Sequence, residues 1–380
     1  MATIVIVNGI GDTVVAFRGT LVRELVARGH RVVVSTPKPI ERAIDEVAAE
    51  IRAIGAEVEW SPLDRTGVNP FKERATRAHF RALFERLRPD AVLATNPKPV
   101  FHAISAARAA GVARRVAMVT GLGFAFTGNS LRARVLRFAA TRLYRGAMRD
   151  ATTVLFQNGD DEAELRSRGL LAQARDVRRI AGSGVDLAQF PRQPLPSGDD
   201  GSGGIVFLMV ARLLGDKGVR EFAEAARIVR AERADCRFRL VGWIDSNPAA
   251  IARAELDAWI ADGAISYAGR LDDVRAELAA CSVFVLPSYR EGTPKSTLEA
   301  LATGRAVITS DAPGCRETVI DGVNGLLVPP RDARALGDAC LALAADPAQR
   351  AAMSAASREL AEKRFDARKV NATIIEALGA

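Results

Sequence analysis

The sequence has 380 residues, of which 48% are hydrophobic and 26% charged, with a net charge of +8. This composition excludes a disordered chain, a collagen-like fibre and a disulfide-stapled mini-domain, and the length predicts two or three domains at about 150 residues each. No apolar run approaches the ~18 residues that a membrane-spanning helix needs. Residues 1–12 lack a basic region ahead of a long apolar run, so we expect a first β-strand there and no signal peptide.

The predicted strands and helices alternate through the first half of the chain. The strands are Thr3–Val7, Arg31–Ser35, Glu57–Trp60, Ala91–Ala94, Arg115–Thr120 and Thr153–Phe156. The helices are Phe17–Arg28, Ile40–Ile54, Phe71–Arg88, His102–Ala110 and Leu131–Arg149. Strands that alternate with helices of this length indicate βαβ units and a parallel sheet.

The alternation restarts after Phe190–Gly204, a segment rich in Pro, Gly, Ser and Asp that is typical of a linker. The strands are then Ile205–Val210, Phe238–Val241, Ile265–Ala268, Val283–Pro287 and Ala306–Ser310. The helices are Gly218–Arg230, Pro248–Ala261, Leu271–Ala279, Ser296–Thr303 and Arg334–Ala345.

The chain therefore predicts an α/β protein with two tandem doubly wound domains and a cleft between them. The domains are expected at 1–182 and 205–365, with an entry segment and linker at 183–204 and a C-terminal helix at 366–380. Such domains bind ligands at the carboxyl ends of their strands, and two facing domains create a cleft in which ligands bind.

Cysteine and charge patterns limit the classes of partner. The four cysteines form no CxxC pair and match no zinc spacing, so buried thiols in a reducing compartment are expected. They are Cys236, Cys281, Cys315 and Cys340. Residues 1–190 hold 29 Lys and Arg against 19 Asp and Glu, whereas the rest of the chain is net −2. A basic half indicates nucleic acid, an acidic membrane surface or a phosphorylated substrate, or else a solvated arginine-rich surface.

The strongest chemical signal is PSYREGTPKSTLEALATG, in which a buried strand runs through a loop into a helix. Gly292 allows the backbone to approach a ligand closely, and Pro294 favours entry into the helix. The amides near Lys295–Thr297 and the helix dipole make an anion site. Glu291 and Glu299 would flank a diphosphate there and accept hydrogen bonds from sugar or ribose hydroxyls. Two surface glutamates on an ordinary helix would give the same spacing.

Two further loops follow strands of the second half. In VARLLGDKG, Arg212 and Lys217 flank a glycine turn and both would reach one diphosphate, although this spacing is common. Asp311–Gly325 brackets a short Arg/Glu segment between two turns and is interpreted as a structural loop on the rim of the cleft.

These segments together resemble one family. EGTPKSTLEA is similar to the E-x7-E motif of glycosyltransferase family 4, and VARLLGDKG resembles its diphosphate loop. APGCRETVIDGVNGLLVP, GSGVDLAQF, SPLDRTGVNPFKE, TNPKPVFHA and VAMVTGLGFAF extend the resemblance over essentially the whole chain. The branch concerned contains enzymes that extend polyprenyl-diphosphate-linked sugars for bacterial surface polysaccharides or glycans.

The resemblance implies a GT-B fold, a metal-independent retaining transfer without cofactor, and a nucleotide sugar held by the second domain. Arg212 and Lys217 would bind the donor diphosphate, Glu291 the hydroxyls of the transferred sugar, and Glu299 the ribose. The departing phosphate would take the acceptor proton, so no dedicated base is sought. The other donor-binding residues would be Gly292, Thr293 and Pro294 at the sugar, Lys295, Ser296 and Thr297 at the phosphate, and Arg270 and Leu271 at the nucleobase.

Loops of the first domain would face the acceptor. The candidates are Gly9, Gly11, Phe17, Arg18, Lys98, His102, Gly121 and Gly123. Family members often place a histidine near the transferred sugar. His30 follows a helix end and is interpreted as structural, and His79 as a surface residue of a basic helix. His102 is therefore the one candidate for the cleft, and an acceptor-side role for a named residue stays open.

Two basic segments suggest a membrane surface. Residues 65–88 and 129–150 are rich in arginine, and the second interleaves them with apolar residues, which suits anionic headgroups. A domain helix with its arginines in water would show the same pattern. The apolar residues are Leu131, Val135, Phe138, Leu143 and Met148. We therefore expect a cytoplasmic enzyme, peripheral on the inner face of the cytoplasmic membrane.

The predicted function is transfer of a sugar from a nucleotide sugar to a polyprenyl-diphosphate-linked saccharide. The sugar expected first is a HexNAc, and the donor is expected to carry UDP rather than GDP. The alternatives are a nucleotide-sugar epimerase of the same architecture, a glycosyltransferase with a soluble acceptor, and a non-catalytic nucleotide-sugar sensor. A nucleic-acid partner is not expected, because aromatic residues are only 6% and no nucleic-acid motif is present.

Overall fold

The computed structural model describes residues 1–380 except 65, 66, 68, 123–130, 197–203, 246 and 248, and omits the side chains of 131–133, 135 and 136. The strands are β1 Thr3–Val7, β2 Arg31–Pro37, β3 Glu57–Ser61, β4 Ala91–Thr95, β5 Arg114–Val119, β6 Thr153–Phe156, β7 Val177–Arg179, β8 Val206–Val210, β9 Arg237–Val241, β10 Ser266–Tyr267, β11 Val283–Leu286, β12 Ala306–Ser310 and β13 Gly325–Val328. The helices are α1 Val14–Ala27, α2 Ile44–Ala53, α3 Pro70–Leu87, α4 Pro97–Ala109, α5 Leu131–Asp150, α6 Gly159–Ser167, α7 Val219–Glu232, α8 Arg253–Ala261, α9 Arg275–Ala280, α10 Lys295–Thr303, α11 Ala333–Ala345, α12 Pro347–Leu360 and α13 Ala367–Leu378.

The chain forms two compact units. Unit 1 comprises Met1–Gly184 together with Ala367–Ala380, and unit 2 comprises Val185–Asp366. The predicted entry segment and linker at 183–204 starts with the last two residues of unit 1 and continues in unit 2, where the Val185 amide donates to the Phe365 carbonyl oxygen at 2.8 Å.

Unit 1 contains a parallel sheet in the order β3-β2-β1-β4-β5-β6-β7. Val5 of β1 pairs with Val33 on one side and with Val92 on the other. Val5 and Val7 pack with residues of α3 and α4, whereas Ile4 and Ile6 pack with residues of α1, α2 and α13. Because both faces of the sheet are covered, β1 is a continuous apolar run, as parallel sheets require.

Unit 2 contains a parallel sheet in the order β10-β9-β8-β11-β12-β13. β11 is buried throughout and pairs with β8 on one side and β12 on the other. In both units the chain moves outward from the first strand in one direction and then in the other. The prediction of two doubly wound α/β domains is confirmed.

Four elements were missing from the prediction. They are α6, β7, β13 and α12. α6 is short and polar and lacks a wide apolar stripe, although Asn158 caps it by accepting from the Asp161 amide at 2.8 Å. α12 carried a readable start, since Asp346 caps it and Pro347 occupies its first turn.

Two predicted helices start well away from their predicted positions. α4 begins at Pro97 and not at His102, so His102 lies within the helix and not at its start. α8 begins at Arg253 and not at Pro248, because the residues before it pair with another loop. The Gly215 amide donates to the Ala249 carbonyl oxygen at 2.9 Å, and the Ile251 amide to that of Leu213 at 3.0 Å. β1, β6 and β12 match their predicted bounds, and the other predicted elements occur with shifted ends.

The four cysteines are buried and free, as predicted. Among the helices in the described part of the chain, none combines the length and the apolar character needed to cross a membrane.

Candidate active site

The candidate site lies where the strand order of unit 2 reverses, between β8 and β11. In open α/β sheets, ligands bind in the crevice outside the carboxyl ends of the strands at such a switch point. The loops after β8 and β11 carry Lys217 and Glu291, two residues that the sequence analysis singled out separately.

These loops are held together by close backbone contacts. The Glu291 amide donates to the Pro313 carbonyl oxygen at 2.9 Å. Gly314 has φ +78°, and a Cβ there would lie 2.3 Å from the Glu291 carbonyl oxygen. Gly218 has φ +74°, and a Cβ there would lie 2.2 Å from the Pro287 carbonyl oxygen. Both positions require glycine, so the segment interpreted as a structural loop, Asp311–Gly325, also shapes the Glu291 loop.

Glu291 is the centre of a small polar cluster. Its Oε1 accepts from Lys217 Nζ and, at 2.8 Å, from Ser288 Oγ. Both side chains of the Lys217–Glu291 pair are largely buried, with 17% and 13% exposed. The pair fixes a cation and a carboxylate side by side, although 74 residues separate them in the chain.

Glu299 lies in α10 with a different partner. Its side chain is 10% exposed, and Oε1 lies 3.1 Å from Lys295 Nζ. Burial raises the pKa of Glu299 above its ordinary value, while the nearby Lys295 lowers it. Glu299 therefore stands in an environment in which its charge is costly and is offset by one ammonium group.

The first turn of α10 has an unsatisfied polar atom. Thr297 is fully buried, and its Oγ1 has no hydrogen-bond partner. Pro294 precedes the helix and supplies no side-chain cap. A buried hydroxyl without a partner beside a helix N-terminus fits an anion that accepts from both.

Arg212 is held by a residue that the sequence analysis missed. Its Nη1 donates to Asp245 Oδ2 at 2.7 Å, and the Asp245 side chain is 3% exposed. Asp245 follows β9, which is the neighbour of β8 in the sheet. Knowledge of this strand order would have placed an acidic residue beside the Arg212 loop. Asp245 orients Arg212 and compensates its charge.

Arg270 and Leu271 follow the short edge strand β10. The Arg270 guanidinium carbon lies 4.8 Å above the Trp243 ring, and Leu271 is exposed. The Gly242 amide donates to the Gly269 carbonyl oxygen at 2.9 Å, which ties the loops after β9 and β10 together.

In unit 1 the switch point lies between β1 and β4. The Gly9 amide donates to Asn96 Oδ1 at 3.2 Å, and Asn96 Nδ2 donates to Thr120 Oγ1 at 2.9 Å. A Cβ at Gly11 would lie 2.4 Å from the Pro37 carbonyl oxygen, so this glycine permits close backbone packing. Gly121 has φ +121°, whereas Gly123 lies outside the described residues.

Lys98 and His102 share one partner. Lys98 Nζ contacts Glu73 Oε1 at 2.6 Å, and His102 Nε2 contacts Glu73 Oε2 at 2.5 Å. Lys98 Nζ also donates to the carbonyl oxygens of Asp64 and Gly67. His102 is buried, and burial lowers its pKa although Glu73 opposes the shift. Both residues therefore anchor the start of α3 and the loop before it.

The remaining predicted residues of unit 1 differ in exposure. Phe17 is half-exposed, and Arg18 is buried beside Ser183. His79 is half-buried in α3, with its Nε2 buried, so only part of the ring lies at the surface. His30 Nδ1 accepts from the Ala2 amide at 3.3 Å, which fits the structural interpretation.

Two family models, one for each half of the chain, identify the class of protein as a sugar-transferring enzyme. The sequence model described as a glycosyl transferase 4-like domain matches residues 13–183, and the one described as glycosyl transferases group 1 matches residues 204–346. The chain belongs to the glycosyltransferases of this family, and the prediction of the family is confirmed.

Known proteins agree with this assignment. The chain is 29% identical to the N,N'-diacetylbacillosaminyl-diphospho-undecaprenol alpha-1,3-N-acetylgalactosaminyltransferase of Campylobacter jejuni, over 86% of this chain and 85% of that protein. It is 28% identical to the putative colanic acid biosynthesis glycosyltransferase WcaL of Escherichia coli, over 54% of this chain and 52% of that protein.

Solved structures show the fold. Sucrose-phosphate synthase from Thermosynechococcus elongatus superposes with a TM-score of 0.80 at 20% identity, over 99% of this chain and 98% of that one. HepE from Anabaena, solved in complex with UDP, superposes with a TM-score of 0.77 at 18% identity, over the full length of both chains. The predicted GT-B fold is confirmed.

Proposed function

We propose that this glycosyltransferase moves a sugar, best a HexNAc, from a nucleotide sugar to a polyprenyl-diphosphate-linked saccharide with retention of configuration. UDP is favoured over GDP as the nucleotide. The observation that carries the proposal is the Lys217–Glu291 pair at the switch point of unit 2. The similarity to a transferase named for a diphospho-undecaprenol acceptor supports the acceptor class.

Unit 2 offers the groups that a nucleotide-sugar donor needs. Arg212, Lys217 and the first-turn amides of α10 place positive charge where a diphosphate leaving group forms, which lowers the barrier to its departure. The Thr297 hydroxyl would donate to the same oxyanion. The leaving phosphate accepts the acceptor proton, so the reaction proceeds without a metal or a dedicated base.

The two glutamates divide the recognition of hydroxyls. Glu291, held by Lys217 and Ser288, contacts the transferred sugar. Glu299 accepts from the ribose, and this requires its ionised form. The backbone of Gly292–Pro294 faces the sugar, and Arg270 with Leu271 flanks the nucleobase.

The donor site is tested by measuring the melting temperature of the protein with UDP, GDP, ADP and dTDP. Each nucleotide is added alone and as its corresponding nucleotide sugars. One nucleotide should raise the melting temperature strongly, since a ligand at 100 times its Kd adds about 2.7 kcal/mol. Glu299→Gln should lose most of this effect, because the ribose loses an ionised acceptor. An effect of equal size in the variant would contradict the ribose role.

Glu299 also predicts a pH dependence of the wild-type protein. Because burial raises the pKa of Glu299, its ionised form costs stability in the folded protein, and this cost disappears as the pH falls toward the ordinary value of about 4.3. Without nucleotide at pH 7, Glu299→Gln should melt no lower than wild type. Nucleotide binding by wild type should weaken on acidification. Nucleotide binding by Glu299→Gln should lack this pH dependence.

The acceptor assay separates the proposed activity from an epimerase. Wild-type protein, nucleotide sugar and a lipid-linked saccharide should yield a longer glycan, with the product anomer matching the donor. Conversion of the nucleotide sugar to its epimer without acceptor would contradict transfer.

Unit 1 supports an anionic membrane surface as partner. Phe138 and Leu143 of α5 are 64% and 45% exposed, and the arginines at 134, 142, 145 and 149 are exposed beside them. Met148 is buried in the core of unit 1, so its prediction as a membrane-facing apolar residue is wrong. Leu131 and Val135 lie outside the described side chains. We place the enzyme at the inner face of the cytoplasmic membrane on this basis.

The membrane contact is tested with anionic vesicles. Replacing Phe138 and Leu143 with serine should weaken binding by about 100-fold, because each apolar side chain contributes ~1.5 kcal/mol and about 1.4 kcal/mol corresponds to a factor of ten. Ile320→Ser, at a residue of unit 2 that is 52% exposed, is the matched control and should bind as wild type does. Equal loss in both variants would contradict a specific role of α5.

A further inference from the structure

Arg18 is a buried arginine with few partners. It lies in the second turn of α1 and is 3% exposed. Its Nη1 donates to Ser183 Oγ at 3.1 Å and to the Phe17 carbonyl oxygen at 3.3 Å, while its Nε has no partner. Within the part of the chain that the structure describes, no carboxylate pairs with Arg18.

The other two deeply buried arginines are different. Arg305 and Arg350 are fully buried, and backbone carbonyl oxygens surround their guanidinium groups. The acceptors of Arg305 belong to Leu278, Ala279, Gln193, Pro194 and Gly304, and those of Arg350 to Leu343 and Ala344. Arg305 and Arg350 therefore serve the fold, whereas Arg18 has unused donors.

An unpaired buried guanidinium destabilises a folded protein. Burial lowers the pKa of Arg18 to about 10, so the group keeps its charge at neutral pH. A buried charge without a counter-ion costs several kcal/mol unless an ion of opposite sign accompanies it. Among the residues that the structure describes, Arg18 thus has no negatively charged acceptor.

The position of Arg18 indicates what that acceptor is. Side chains on a helix tilt toward its N-terminus, and α1 begins at Val14 without a side-chain cap from Thr13. The 3-10 turn Gly11–Thr13 leads directly into α1, and the Val14 amide donates to the Gly11 carbonyl oxygen. The feature that favours an anion at this end of the helix is therefore the dipole of α1. Ser183 adds a hydroxyl that is 9% exposed. These donors suit the oxygens of a phosphoryl group, which accepts several hydrogen bonds at once.

We propose that Arg18, Ser183 and the N-terminus of α1 form an oxyanion subsite in unit 1 that takes a phosphoryl group. Resting on the proposed function, the expected source is the diphosphate of the lipid-linked acceptor. The subsite would then recognise the feature that every polyprenyl-diphosphate acceptor shares, whatever its sugar.

The test uses inorganic pyrophosphate as the probe, with saturating UDP present to occupy the donor site. Wild type should melt higher as pyrophosphate is added, and Arg18→Met should lose this response. Without ligand, Arg18→Met should melt at or above the wild-type temperature, because the variant removes an unpaired buried charge. Arg350→Met is expected to melt well below wild type, since it leaves carbonyl oxygens without donors. Arg23→Gln, at an exposed residue of α1, should behave as wild type in every arm.

Two further measurements, the acceptor KM and the UDP affinity, identify the source of the phosphoryl group. If the acceptor supplies it, Arg18→Met raises the acceptor KM by about tenfold or more, as for a charge-assisted contact, while the UDP affinity stays unchanged. A weaker UDP affinity in Arg18→Met would assign the subsite to the donor diphosphate instead. Ser183→Ala should shift the same constants in the same direction by less.

The proposal is wrong if Arg18 only stabilises the fold. Arg18→Met would then melt far below wild type, and Ser183→Ala would keep the full pyrophosphate response and the wild-type KM and UDP affinity. It is also overturned if wild type shows no pyrophosphate response and no constant changes in either variant. Pyrophosphate binding needs no transfer reaction, so this result is independent of whether the proposed function holds.

Discussion

Replacing Glu291 with glutamine is expected to reduce the rate of transfer by about 100-fold or more, the scale for loss of one group that stabilises a transition state. The carboxylate accepts from Lys217 and Ser288, so the substitution removes the charge that fixes Lys217 and leaves a neutral amide oxygen as the acceptor at the proposed sugar contact. The measurement is kcat with the nucleotide sugar chosen by the thermal-shift panel, together with the affinity for free nucleoside diphosphate.

The free nucleotide should still bind to Glu291→Gln, because Arg212 keeps Asp245 and the α10 turn is untouched. Glu232→Gln, at an exposed carboxylate of α7, is the control and should turn over as wild type does. Normal turnover by Glu291→Gln would refute its role at the sugar. Loss of nucleotide binding along with turnover would show that the pair holds the loop and does not act on the sugar.

Gly314→Ala is expected to lose most of the turnover while the protein stays folded. The new Cβ would lie 2.3 Å from the Glu291 carbonyl oxygen and 2.5 Å from that of Gly292, so the Glu291 loop must move. A positive φ also costs an alanine about 1–2 kcal/mol. The measurement pairs kcat with the melting temperature.

Gly322→Ala provides a matched control for the backbone strain. Gly322 has φ +73°, close to that of Gly314, but a Cβ there meets nothing within 4 Å. Both variants should lose similar stability from the strained backbone, and only Gly314→Ala should lose turnover. Equal turnover in the two variants would show that the Glu291 loop tolerates displacement.

The sheet strands were predictable because parallel strands covered on both faces are apolar throughout. β1, β6 and β12 match their predicted bounds for this reason. α6 and β7 were missed because a short polar helix and a three-residue edge strand carry little periodicity. α12 was also missed, although Asp346, which caps it, was a start signal available in the sequence.

Site residues were predictable where a local motif carries them. Glu291 and Glu299 share one strand–loop–helix segment, and Arg212 and Lys217 share another. The pairing of Lys217 with Glu291, and of Arg212 with Asp245, depends on strand order, which no local pattern contains. The burial of His102 against Glu73 likewise follows from the packing of α3 on α4.

The return of α13 to unit 1 has a consequence for biosynthesis. Ile374, Ile375 and Leu378 complete the apolar cluster that also holds Ile4 and Ile6. Unit 2 is therefore an insertion within unit 1, and all of it leaves the ribosome before unit 1 receives its last helix. Domains generally fold as they emerge, so the inserted unit folds while the part of the N-terminal sheet that α13 covers is still exposed. During that interval the nascent chain exposes an apolar surface that chaperones would recognise.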